Sequence, residues 1–150
     1  MERPNQQFGK MERKDRVETI SVTLSAQIAC PAAEAYRFVA DPATMPQWAI
    51  HNVKGIRPLG NNEWEIETPR GAGKLVPHYT REFGILDHEF IDPKEGSWAV
   101  SARIVPAGAT DSVYMITLVK PPKMPEEVFR KSMPLVEEEL QAMRRILELR

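Results

Sequence analysis

The closing stretch Pro125–Arg150, PEEVFRKSMPLVEEELQAMRRILELR, decides how the rest of the chain must pack. Phe129, Met133, Val136, Leu140, Met143 and Leu147 recur at spacings of four and three, the period of one helical face, so a single apolar stripe runs to the end. Pro125 suits a first helical turn, where its missing N–H breaks no bond, and Glu126 and Glu127 complement the positive end of the helix dipole. Glu126 with Arg130 and Glu127 with Lys131 are favourably ordered i,i+4 pairs on the wet side, adding about 0.2–0.5 kcal/mol each. The stripe covers about 25 residues, a rod roughly 37 Å long that crosses a whole domain. Pro134 lies inside this helix, where it removes the bond to residue 130 and predicts a kink. The kink either curves the helix to fit the sheet or makes residues 125–133 a gate carrying Phe129 and Met133.

A helix striped in this way needs an apolar face to bury against, and the preceding sequence supplies a sheet. Ile20, Val22, Leu24, Ala26 and Ile28 alternate with Thr and Ser or Gln, the pattern of a strand with one buried face. Glu63–Thr68 repeats it, with Trp64, Ile66 and Thr68 opposite three glutamates. Lys74–Phe83, Leu86–Ile91, Ser97–Val105 and Ser112–Val119 read as further strands, and a weak one near Val53–Leu59 makes seven. Turn signals at Gly60-Asn61-Asn62, Gly71-Ala72-Gly73, Gly84, Asp92-Pro93 with Gly96, and Gly108 separate them. Such short connections exclude parallel crossovers, so the sheet is antiparallel. Pro77 predicts an edge or a bulge.

Between the first strand and this meander, Pro31 suits the first position of a helix over Ala32–Ala40, although Cys30 stands where Ser or Thr would cap better. Asp41 caps a second short turn, which Pro46 ends before Trp48. The fold class is α+β: a curved seven-stranded antiparallel sheet wrapped around a long C-terminal helix, with two short helices after the first strand, over residues 17–150. One helix about 10 Å wide cannot fill a strongly curled sheet, so space is expected between the two.

Composition bounds the function. The 150 residues make one ordinary domain, and 20 Lys and Arg against 21 Asp and Glu leave a net charge of -1, with no field for gathering nucleic acid. No run approaches the roughly 18 apolar residues of a membrane span. The single cysteine, Cys30, supplies neither an intrachain disulfide nor paired thiolates for zinc. Residues 1–16, MERPNQQFGKMERKDR, lack the apolar core of a secretory signal, which predicts a cytoplasmic protein. With Phe8 and two methionines as their large apolar groups, they read as a flexible leader, or as an arm packing on a neighbouring subunit of a homo-oligomer.

The three histidines, His51, His78 and His88, stand at no metal-ligand spacing from one another, so neither metal nor cofactor is expected. His88 sits between Leu86 and Phe90 on the apolar face of its strand and should point inward, as a hydrogen-bonded core imidazole or as a polar or proton-carrying group for a ligand. His51, beside Trp48, reads as a loop histidine or a guard at an entrance. Tyr79, Arg81 and Phe83 share one strand face. If that face is inward, Arg81 sets a charge beside an apolar space and suggests an acidic ligand; near the strand end it snorkels to water. Arg103 has the parity of the outer face. Trp48, Trp64, Phe90, Trp98, Tyr114, Phe129 and Met133 are the candidate apolar lining, with the parity of Tyr114 left open because its whole strand is apolar.

Several strings resemble the helix-grip START-like superfamily, and within it the polyketide cyclase/dehydrase branch. They are Cys30-Pro31-Ala32-Ala33-Glu34-Ala35-Tyr36-Arg37-Phe38-Val39, the run from Asp41-Pro42 to Trp48, Gly84-Ile85-Leu86-Asp87-His88, and Arg103-Ile104-Val105-Pro106. The resemblance spans about Thr19–Leu149 and implies a ligand cavity between sheet and C-terminal helix. The leading reading is binding of a small, mainly apolar or lipid-like molecule bearing a carbonyl, hydroxyl or carboxylate. One alternative is a cyclase, aromatase or dehydratase-like enzyme in which His88 moves protons and Tyr79 or Arg81 stabilises an enolate. Another is a module that binds a protein partner in the same groove.

Overall fold

The computed structural model describes residue 16 and residues 18–150; the leader, its arm-like alternative and the domain boundary at residue 17 lie essentially outside that range. In chain order the elements are β1 (Ser21–Ile28), α1 (Ala32–Val39), α2 (Met45–Trp48), β2 (Gly55–Gly60), β3 (Glu63–Thr68), β4 (Gly71–Thr80), β5 (Ile85–Asp92), β6 (Gly96–Ala107), β7 (Asp111–Val119) and α3 (Glu126–Glu148). The strands form one antiparallel sheet in the order β1-β7-β6-β5-β4-β3-β2, so the first strand closes onto the last. Each remaining pair is a sequence neighbour, as short turns require. The β2–β3 turn is built on Asn61 and Asn62, both at positive φ.

The sheet faces α3 with one side. Ala26 pairs with Tyr114, and Tyr114 with Ile104, putting three buried side chains in a row across β1, β7 and β6. This pairing settles the parity of Tyr114: Ser112, Tyr114, Ile116 and Leu118 are all inward. The stripe of α3 meets that face, with Phe129 and Met143 wholly buried and Met133, Leu140 and Leu147 nearly so. Phe129 stacks on Trp98, ring centroids 5.7 Å apart. Both anticipated i,i+4 ion pairs on α3 form at 2.9 Å. The helix continues through Pro134, whose side of α3 borders a surface groove with Leu24.

Three local readings need correction. Pro31 and Pro125 occupy the capping positions of α1 and α3 rather than the first helical ones. Pro46 lies within the first turn of α2 and starts that helix instead of ending one, because a first turn needs no N–H from it. The fourth strand stops at Thr80, and residues Arg81–Phe83 form a single 3-10 turn ending in Gly84 at φ 65°. A Cβ on Gly84 would stand 2.2 Å from the carbonyl oxygen of Ile104, so the close approach of this turn to β6 requires glycine. Pro77 pairs with His88 on one side and lies beyond the β3 pairing, which ends at Leu75. There its missing N–H leaves no ladder bond broken, and its carbonyl accepts from the Asn62 side chain at 3.2 Å.

Candidate functional site

Between the inward face of the sheet and one flank of α3 lies a pocket of about 420 Å3. Its floor is Phe90 on β5, Trp98 and Val100 on β6, and Tyr114, Ile116 and Leu118 on β7. Its roof is Val128, Ser132, Leu135, Val136, Glu139 and Leu140 on α3; Met45 and Trp48 of α2 close one side, with the following loop through Val53. Arg70 and Glu95 reach it from the β3–β4 and β5–β6 turns. Val128 and Leu135 are 40% and 41% exposed, so the opening runs along the helix flank.

This geometry divides the anticipated lining. Trp48, His88, Phe90, Trp98 and Tyr114 border the pocket, whereas Trp64, Tyr79, Arg81, Phe129 and Met133 do not. Arg81 is exposed because its strand has already ended in the 3-10 turn, so the strand parity that aimed it inward no longer applies. Phe129 and Met133 are on the stripe that seals against the sheet. The pocket sees the neighbouring row, Val128, Ser132, Leu135 and Glu139, one position round the helix, together with Val136 and Leu140 from the middle of the stripe. Trp64 packs against the core on β3, and Tyr79 stands behind His88 in an edge-to-face contact at 6.3 Å.

His88 is the most informative polar group. Its Nδ1 lies 3.0 Å from the Leu86 carbonyl oxygen, which can only accept, so Nδ1 carries the hydrogen. Burial pushes the imidazole below its ordinary pKa of 6.5, against the opposing pull of the Leu86 carbonyl and Asp87. The ring is thus neutral at pH 7, and Nε2 presents a lone pair with no protein partner among the described residues. Tyr114 is 1% exposed, and burial raises its phenol pKa, with Tyr79 and Glu139 adding to the effect. Tyr79 behaves likewise, through burial first and Tyr36 second.

Glu139 was not singled out from sequence, yet it is 4% exposed and borders the pocket. One of its oxygens accepts from the backbone amides of His51 at 3.0 Å and Asn52 at 3.2 Å, the other from the Asn52 side chain at 2.9 Å. The carboxylate therefore ties the loop after α2 to α3. Burial raises its pKa despite those donors. The His51 ring contacts Glu138 at 2.6 Å, which puts it at the rim beside Trp48. A sign of Glu139 was present in the sequence: it falls three residues after Val136, on the inward side of the helical period, where an acid is out of place.

At the other end, Arg70 binds the buried Asp92, which also accepts from the amides of Lys94 and Glu95. Burial alone would raise the Asp92 pKa; those two amides and the guanidinium together outweigh it and hold the carboxyl low. Arg103 lies on the outer face and binds Asp87 across strands, as its parity indicated. Among the described residues no group of three or more His, Cys, Asp or Glu is arranged to hold a metal ion.

By sequence, no family model and no curated protein matches this chain. Solved structures do. A START superfamily protein from Mycobacterium smegmatis superposes with a TM-score of 0.70 at 18% identity, over 86% of this chain and 97% of that one. This chain has the helix-grip, START-like fold. Other helix-grip structures agree: the Zhui aromatase/cyclase from Streptomyces sp. R1128 (TM-score 0.71, 11% identity, 87% and 94% covered) and Ara h 8.0201 (0.71, 10%, 89% and 100%). The helix-grip architecture explains why the pocket sits where it does, since a curved sheet closed by one helix leaves its unfilled volume beside that helix. None of the described helices is long and apolar enough to cross a membrane.

Proposed function

We propose that this protein binds a small, mainly apolar molecule in the pocket between the sheet and α3. The observation that carries the reading is the pocket itself, about 420 Å3 with walls mainly of Trp, Phe, Val, Ile, Leu and Met, within the size range of sites for drug-sized ligands. Removing apolar ligand surface from water there supplies affinity at roughly 25 cal/mol per Å2, and the few polar groups orient the guest. A space of this size suits a body of a few fused rings. Trp48, His88, Phe90, Trp98 and Tyr114 are the contact residues of this proposal, joined by Val100, Ile116 and Glu139.

The fold neighbours support the reading at the level of architecture, and they include an aromatase/cyclase as well as a START superfamily protein. Catalysis is the weaker reading on geometry. His88 retains a free Nε2, but Tyr79 and Arg81, the two enolate-stabilising candidates of the enzymatic alternative, both stand outside the pocket. Native mass spectrometry of gently purified protein is expected to show a non-covalently retained small molecule or uptake from a panel of apolar compounds. Bare protein throughout such a panel overturns the proposal.

A further inference from the structure

We infer that the pocket selects neutral, hydroxyl-bearing apolar molecules and rejects carboxylates of the same shape. This rests on the binding reading above and names the chemistry of its guest. Several polar groups at the pocket already have a protein partner. The Asn52 amide is on Glu139, the Ser132 hydroxyl donates to the Val128 carbonyl at 2.9 Å, the His51 ring is on Glu138 and the Arg70 guanidinium is on Asp92. Among the described residues, Nε2 of His88, the phenol of Tyr114 and the indole N–H of Trp98 border the pocket without a protein partner; the indole donates to any guest oxygen alike, so His88 is the group that asks for a donor. Because the Leu86 carbonyl fixes the hydrogen on Nδ1, Nε2 can only accept. A guest hydroxyl supplies the donor it lacks; a hydrocarbon, ketone or carboxylate leaves that acceptor enclosed and unpaired. The Tyr114 phenol serves as donor or acceptor and does not discriminate.

Charge points the same way. Among the described residues the walls carry Glu139 and Glu95, and the one guanidinium that borders the space, Arg70, is already paired with Asp92. An anionic guest would enter an apolar space whose fixed charges are predominantly negative, with no unpaired cation among the described residues to receive it.

The test compares 9-phenanthrol, 9-methylphenanthrene and phenanthrene-9-carboxylate, three probes of nearly equal shape, titrated at pH 7 against the fluorescence of Trp48 and Trp98. The phenol is expected to bind at least tenfold more tightly than the methyl compound, and the carboxylate at least tenfold more weakly. In H88L the ratio of phenol to methyl-compound affinity should shrink to about twofold; in E139Q the carboxylate should recover several-fold. Carboxylate binding equal to or tighter than that of the phenol, or an undiminished phenol preference in folded H88L, overturns the selectivity while leaving the binding reading in place. Failure of all three probes overturns both.

Discussion

Val100 and Ala102 lie two residues apart on the same inward face of β6, both nearly inaccessible, but Val100 borders the pocket and Ala102 does not. Enlarging each therefore asks whether the space beside α3 is real. In filled core, added carbons force off-rotamer side chains and cost about 1–3 kcal/mol, which is the expectation for Ala102→Val. Val100→Phe adds four carbons that project into unfilled volume. At about 0.8 kcal/mol per buried CH2, less up to about 1 kcal/mol of lost rotamer freedom, the outcome is between no change and about 2 kcal/mol of added stability. With roughly 2–4 °C per kcal/mol for a chain of this size, V100F should melt at or a few degrees above the parent, and A102V several degrees below it. V100F should also weaken 9-methylphenanthrene binding at least tenfold, since its ring occupies guest volume. Urea midpoints at constant m-value give the free energies. If V100F loses as much stability as A102V, or binds the probe unchanged, the space assigned to a guest is not there.

Glu139→Ala leaves two loop amides and the Asn52 side chain without their acceptor, so a loss of about 1–3 kcal/mol is expected, with faster hydrogen exchange at His51 and Asn52. Glu139→Gln should lose less, because one amide oxygen still accepts; equal stability of the parent and the alanine variant would show that the tie carries no energy. His88 has a folded pKa below its unfolded value, so below pH 6.5 the unfolded chain takes up a proton that the folded one refuses, and stability falls as pH falls. The slope for one such group is at most about 1.4 kcal/mol per pH unit, and the difference in pH dependence between parent and H88L should show it; parallel pH curves would refute it. If the segment before Pro134 gates the pocket, Pro134→Ala should alter the exchange rate of 9-methylphenanthrene in stopped-flow displacement, while unchanged rates in a folded variant remove the gate.

Much of the architecture was legible from periodicity. Phe129 to Leu147 announced the helix, and the alternation in β1 and β3 announced strands with one dry face, because burial against a single layer leaves that imprint on the residues themselves. Arg103 was placed outside by parity alone. Element ends were less legible. Arg81 shared a strand pattern with Tyr79, but the chain had already entered a 3-10 turn set by the contact between Gly84 and Ile104, two strands away in the sequence.

The amino-acid sequence by itself thus determined the order of helices and strands, the dry faces of β1, β3 and α3, and that one helix must serve a whole sheet, since these follow from local spacing and hydrophobicity. Tertiary structure alone decided which row of α3 seals and which borders open space, since Phe129 and Val128 are adjacent, both apolar, and separated only by a turn of about 100° around the axis. It also decided that Glu139 would be buried against the His51–Asn52 loop and that His88 would keep one nitrogen unpaired. Those outcomes depend on how a twisted sheet and a single helix fail to fill the same volume, a property of their relative placement that no single segment encodes.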